Sequence, residues 1–172
     1  MDVLETIAAR YSARSYKTDP VEDDKLALIL EAARLAPTAA NRQPFRLIVA
    51  RTAGREEEMA RIYSDGRPLW FTVAPLVLAI VAVPAEAWRR VDGKSYHEVD
   101  ASIVMDHVVL AATALGLGTC WIAAFDPAAA RDVLGLPDDV EPIAFTPLGY
   151  AVDAPRQKKR RPLDELVKYD HW

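Results

Sequence analysis

Three stretches of the sequence carry side chains whose types and spacing suit binding chemistry. Arg10, Ser12 and Arg14 occupy alternate positions in a stretch with no helical period, so in an extended chain all three point the same way. Two guanidiniums and a hydroxyl suit a phosphate, because the arginine fork matches a pair of phosphate oxygens. Far along the chain, Lys158-Lys159-Arg160-Arg161 forms a second cationic cluster. Taken singly, a basic run is most often a solvated surface. Two such places in a net acidic protein point instead to one convergent anionic ligand. The third stretch, Ala36-Pro37-Thr38-Ala39-Ala40-Asn41-Arg42-Gln43-Pro44, is a proline-bounded loop of small residues with two side-chain amides. Small residues let a ligand approach the backbone, and Asn and Gln offer donor and acceptor together, as ring carbonyls and nitrogens require. A plain helix-to-strand turn accounts for this loop equally well.

Catalytic side chains are harder to find. Gly116-Leu117-Gly118 lacks the third glycine of a dinucleotide fingerprint and follows a helical pattern rather than a strand, which speaks against a Rossmann domain. His97, His107 and His171 are scattered. With Asp100 and Asp106, the first two can be drawn as metal ligands, but hydrogen-bonded interior or surface groups are the commoner fate, and no metal is expected. Cys120 sits in an apolar stretch and reads as an inert thiol. No serine stands in a nucleophile elbow. Chemistry on this chain calls for a cofactor or a second subunit.

The elements that must position these groups follow from periodicity and capping. Asp2-Val3-Leu4-Glu5 has capping-box spacing and opens a short helix with Val3, Leu4 and Ile7 on its apolar side. Residues 10–17 read as extended or loop. After Glu22-Asp23-Asp24, apolar Leu26, Ile29, Leu30 and Ala33 recur at three and four residues and predict a helix that Pro37 ends. Residues 45–50 read as a strand, 55–63 as a charged surface helix, and 75–83 as a central strand covered on both faces. Residues 97–115 form a long helix, apolar almost all round, that must be buried on most sides and suits packing against another subunit. Gly116 and Gly118 close it. A strand over 119–123, a short helix from Asp126-Pro127 and a strand over 141–150 complete the pattern. Helices and strands mix without regular βαβ alternation, so the class is α+β.

Composition bounds the alternatives. The 172 residues are 51% hydrophobic and 27% charged, with 12 Pro, 7 Gly and a single Cys, which excludes a disordered, collagenous or disulfide-scaffolded chain. A net charge of −4, from 21 Lys+Arg against 25 Asp+Glu, argues against a nucleic-acid partner. The N-terminus has no basic region followed by an apolar core, and the most apolar run, residues 73–83, is interrupted by Pro75 and falls short of the roughly 20 residues a membrane helix needs. With one unpaired Cys the expectation is a cytoplasmic protein without a membrane partner, folded as one domain over residues 1–172.

At its motifs the chain resembles the FMN-dependent nitroreductase family, over residues 4–167, as one of the short members. The matching stretches are Arg10-Tyr11-Ser12-Ala13-Arg14-Ser15-Tyr16, the 36–44 loop, Leu115-Gly116-Leu117-Gly118-Thr119-Cys120-Trp121-Ile122 and Lys158-Lys159-Arg160-Arg161-Pro162-Leu163-Asp164-Glu165. Each is loose alone; four in the right order and spacing are specific. The resemblance implies a central, mostly antiparallel sheet flanked by helices, in an intertwined homodimer with two FMN sites at the subunit interface. Arg10, Tyr11, Ser12 and Arg14 would hold the phosphate and ribityl chain together with Lys158 and Arg160. Pro37, Thr38, Ala39 and Asn41 would come from the other subunit. Arg67 would face the pyrimidine edge. Trp121, Ile122 and Ala123 would pass beside the flavin, the Ala123 N–H donating to N5. Departures are Phe45 where Trp is frequent, Ala39 and Ala40 for serines, and Ala123-Ala124 for a glycine.

That resemblance implies an NAD(P)H-dependent oxidoreductase working by a ping-pong cycle, NADH or NADPH reducing the flavin and a nitroaromatic, quinone or similar small acceptor reoxidising it. Competing readings are an FMN-binding sensor or storage module without turnover, a dehalogenase or benzimidazole synthase of the same fold, and a non-flavin interaction protein docking through its basic tail.

Overall fold

The computed structural model describes residues 1–63 and 69–172. Its helices are α1 (Val3–Ala9), α2 (Asp23–Arg34), α3 (Glu56–Ala60), α4 (Leu69–Val73), α5 (His97–Ala114), α6 (Pro127–Leu134) and α7 (Leu163–Leu166). They flank a four-stranded antiparallel sheet of β1 (Phe45–Arg51), β2 (Leu76–Ala82), β3 (Gly118–Thr119) and β4 (Glu141–Gly149), in the order β1-β2-β4-β3. The protein is α+β, as the mixed pattern predicts.

Every residue of β2 is buried, because the strand has neighbours on both edges and side-chain layers on both faces. Leu76, Leu78 and Ile80 pack on one face with Ile29 and Ala33 of α2 and with Val104, Met105 and Val108 of α5. Val77, Ala79 and Val81 pack on the other with Met59, Ile62, Phe71, Phe145 and, from α6, Ala130 and Val133. A strand alternating between two dry layers must be apolar at every position, which is why 75–83 reads as a continuous hydrophobic run.

Helix boundaries follow their caps. Asp2 accepts from the Glu5 N–H at 2.8 Å while the Glu5 carboxylate accepts from the Asp2 N–H at 2.9 Å, the reciprocal box that starts α1. Asp126 accepts from the N–H groups of Ala128 and Ala129 and starts α6, with Pro127 at its first position. The surface helix α3 is shorter than its charge pattern suggests, since the chain turns at Arg61 after five helical residues.

Two expectations around the glycine turn are corrected. Gly116, at φ +78°, supplies the left-handed residue that ends α5. Gly118 has another role: a Cβ there would lie 2.8 Å from the Cβ of Ala151 and 3.0 Å from that of Ala13, so the missing side chain lets three segments meet. The expected strand over 119–123 is also interrupted. In register with Gly118↔Gly149 and Thr119↔Leu148, Cys120 would face Pro147, which has no N–H to donate. The Cys120 N–H turns instead to the Thr146 hydroxyl at 3.1 Å, and pairing resumes at Ile122 and Phe145, which exchange hydrogen bonds of 2.8 and 3.0 Å.

Candidate functional site

Residues 10–17 run extended beside β3, as the absence of helical period predicts. Ser12 bridges Thr119, the Ala13 N–H donates to the Thr119 carbonyl at 2.9 Å, and Tyr16 bridges Ala151. The same stretch is therefore held to the chain that leaves β4, whose Val152 N–H donates to the Ser15 carbonyl at 2.9 Å. That chain goes on into the basic tail. Arg10, Tyr11, Ser12 and Arg14 consequently face Arg156, Gln157, Lys158, Lys159 and Arg160 across one pocket of about 250 Å³. The two cationic places that lie far apart in sequence form a single site.

Asp153 fastens the two walls. Its carboxylate accepts from the Arg14 N–H at 3.1 Å and its main-chain carbonyl accepts the Tyr11 hydroxyl at 2.6 Å. Burial, reinforced by Asp153, raises the Tyr11 phenol above its ordinary pKa and keeps it a donor. Lys158 donates to the Ala8 carbonyl at the end of α1. Its ammonium is pushed below the usual lysine range by partial desolvation and then by Arg10 and Arg160. Clustered cations of this kind create a positive local field. Arg156 and Gln157 of the basic tail extend the lining beyond Lys158, and sequence reasoning missed Asp153 beside the pocket, which carries no local signal, since its partners lie 142 and 139 positions away.

The 37–41 loop stands at the opposite end of α5. Ala39 to Asn41 make a single 3-10 turn, and Ala40, Asn41 and Gln43 all have positive φ, at 50°, 53° and 51°. The Thr38 hydroxyl accepts from the Gln43 N–H at 3.0 Å, and the Gln43 amide reaches Asn41. Asp100, in the first turn of α5, accepts from the Ala39 N–H at 2.8 Å. From Asp100 to Ala114 the helix rises roughly 20 Å. The loop and the cationic pocket are thus separated by most of a helix.

Between them runs the interrupted edge beyond β3. Ile122 is buried against Phe145, whereas Trp121 is 41% exposed and Ala123 is exposed. Because the Cys120 and Ile122 N–H groups are taken by β4, the Ala123 N–H is left without an acceptor among the described residues. Cys120 is buried; desolvation raises its pKa, against the opposing pull of Arg14, Ser12 and Arg10. Arg67 lies outside the described residues. The metal-ligand set drawn from the sequence disperses: His97 meets Ser95 and Glu141, His107 meets the Ile103 carbonyl, and Asp100 turns to Ala39.

The family model described as the nitroreductase family matches residues 7–65 and 54–150. The chain belongs to the nitroreductase family. Its fold superimposes on a nitroreductase-family protein of Clostridium difficile 630 with TM-score 0.91, at 36% identity over 100% of both chains. Among curated relatives, the NADH dehydrogenase of Thermus thermophilus is 28% identical over 97% of this chain and 95% of its own. The FMN reductase [NAD(P)H] of Bacillus subtilis is 28% identical over 96% of this chain and 72% of its own. As a nitroreductase-family member, the chain has the antiparallel sheet and flanking helices that the four motifs imply. No helix among the described residues is long and apolar enough to cross a membrane.

Proposed function

We propose that this nitroreductase-family chain is an NAD(P)H-dependent FMN oxidoreductase, built as one flavin-binding domain over residues 1–172 and active as a homodimer. The observation that carries the reading is the convergence of Arg10, Ser12 and Arg14 with Lys158 and Arg160 around one pocket. Guanidiniums, an ammonium and a hydroxyl there match the oxygens and charge of a terminal phosphate, and the donor set fits FMN. When bound, FMN would supply the transfer of reducing equivalents from NADH or NADPH to a nitroaromatic, quinone or similar acceptor in a ping-pong cycle.

The chain's own groups then bind and orient. Arg10, Ser12, Arg14, Lys158 and Arg160 hold the phosphate end, with Tyr11 bracing the wall through Asp153. The Ala123 N–H, without an acceptor among the described residues, is the donor for flavin N5, and Trp121 and Ile122 form the strand edge beside the ring. Pro37, Thr38, Ala39 and Asn41 reach the flavin from the second subunit. That assignment is supported by the length of α5 between this loop and the protomer's own phosphate pocket. A second copy is supported too by apolar side chains left in water: Val3, Leu4 and Ile7 on α1, and Leu163, Leu166 and Trp172 in the tail.

The test is the visible spectrum of the purified protein, followed by anaerobic titration with NADH and NADPH separately and reoxidation by a nitroarene or a quinone. A flavin band bleached by reductant and restored by acceptor is the expected result. Protein that takes up no added FMN overturns the reading; tight FMN without turnover converts it to a sensor or storage module.

A further inference from the structure

Asp100 is the most thoroughly buried charged side chain among the described residues, at 1% exposure, and the metal reading leaves it without a task. It sits in α5 between Val99 and Ala101, with Ala101, Val104 and Met105 fully buried around it. Its Oδ1 accepts one hydrogen bond, from the Ala39 N–H at 2.8 Å, and its Oδ2 meets no donor. A carboxyl buried with a single partner is expensive, and an apolar side chain of similar size would suit the helix better. Stability does not explain the residue.

The group on the other end of that bond does. Residues 38–43 contain three non-glycine positions at positive φ, a conformation that persists only where surroundings over-determine it. Most hydrogen bonds holding the turn are internal: Asn41 N–H to the Thr38 carbonyl, Gln43 N–H to the Thr38 hydroxyl, and the Gln43 amide to Asn41. Arg46 in the adjoining strand pairs with Glu86 and reaches this turn only at the Gln43 carbonyl, at 3.4 Å. Among the described residues, the bond from Asp100 is the one that reaches in from a distant element, 61 positions away, and it holds the turn at Ala39.

We infer that Asp100 is a positioning residue: through the Ala39 N–H it locks the left-handed 38–43 turn onto the rigid start of α5, and so sets the wall presented to the flavin ring. The inference rests on the flavin reading above. It assigns Asp100 no contact with substrate or cofactor, and it places the effect on ring environment and turnover rather than on the phosphate pocket at the far end of α5.

Three variants of the FMN-loaded protein test it: Asp100→Ala, Asp100→Asn, and Ala39→Pro. The last removes the donor and leaves the helix core intact; Thr38 already has the extended geometry that precedes proline, φ −131° and ψ 155°. Expected for Asp100→Ala are FMN affinity within about threefold of wild type, a shifted visible band of the bound flavin, and kcat/KM lowered by about tenfold or more. Asp100→Asn, whose amide oxygen still accepts, returns the spectrum and kcat/KM to within about threefold. Ala39→Pro reproduces Asp100→Ala, and the double variant is no worse than either, since both remove one bond. If Asp100→Ala fails to fold, Ala39→Pro carries the test. Wild-type spectrum and kinetics in Asp100→Ala or Ala39→Pro overturn the inference, as do an Asn variant as impaired as the Ala variant and losses that multiply in the double variant. Wild-type protein that takes up no FMN overturns the flavin reading itself; the Asp100 inference fails alone when wild type binds flavin and the variants behave like it.

Discussion

The Tyr11 hydroxyl donates to the Asp153 carbonyl at 2.6 Å, joining the first cationic segment to the chain that leads into the second. With the Arg14 N–H on the Asp153 carboxylate, this contact makes a six-cation pocket out of two loops that share no element. The pocket's walls are strand-like but are not part of the ladder, so their spacing depends on these few bonds.

Asp153→Ala removes the acceptor of the Arg14 N–H and leaves that donor without its charged partner. A hydrogen bond to a charged group is worth about 1.5–3 kcal/mol. FMN affinity should fall by roughly ten- to a hundredfold, while Tyr11→Phe, losing a neutral bond, should cost about tenfold at most. Fluorescence titration of FMN checks both. Riboflavin, which lacks the phosphate, should bind all three proteins alike; a parallel loss of riboflavin would move Asp153 out of the phosphate pocket's support.

Lys158 gives the site a pH dependence with a definite sign. In the anion-free pocket, partial desolvation and then Arg10 and Arg160 hold its pKa below the ordinary range. A bound phosphate draws it back up. Complex formation thus takes up a proton wherever free Lys158 is partly neutral, so affinity is full below the lowered pKa and declines as pH rises through it. The FMN dissociation constant, measured from neutral to alkaline pH, should rise earlier than a normal lysine predicts. Lys158→Arg, always charged, should flatten that part of the curve; an unchanged curve would exclude Lys158 as its source.

Cys120 should resist alkylation in the native protein. Burial is the largest influence on its thiol and raises the pKa, more than Arg14, the Ser12 hydroxyl and Arg10 lower it. Iodoacetamide at neutral pH is expected to label it only after denaturant is added. Cys120→Ala should retain turnover, and rapid native labelling would contradict the packing described.

Gly118→Ala puts a methyl group 2.8 Å from the Ala151 Cβ and 3.0 Å from the Ala13 Cβ. Both neighbours lie on segments that build the pocket, so they must separate. Overpacking of this kind costs about 1–3 kcal/mol. Denaturant unfolding should show that loss together with weakened FMN binding, and a variant with wild-type stability would mean the segments tolerate the shift.

Much of the fold is written locally. The capping box at Asp2 and Glu5, the unbroken apolar run of β2 and the nearly all-apolar α5 each follow from interactions within a few residues, or from burial that demands one residue class throughout. The cationic character of the pocket is legible as well, because the arginine pattern of residues 10–14 and the basic tail are visible by type and spacing alone. What the sequence leaves open is which distant groups meet. Tyr11 and Asp153 are 142 positions apart, and no periodicity relates them. The break at Cys120 comes from Pro147 in the neighbouring strand, and the fate of Asp100 comes from a turn 61 positions earlier. Hydrogen-bond partners of this kind are selected by strand register and helix placement, which arise only when the whole core packs. Local sequence therefore determined the elements and the two cationic segments, while tertiary structure decided that those segments form one pocket and that a buried carboxylate meets a turn.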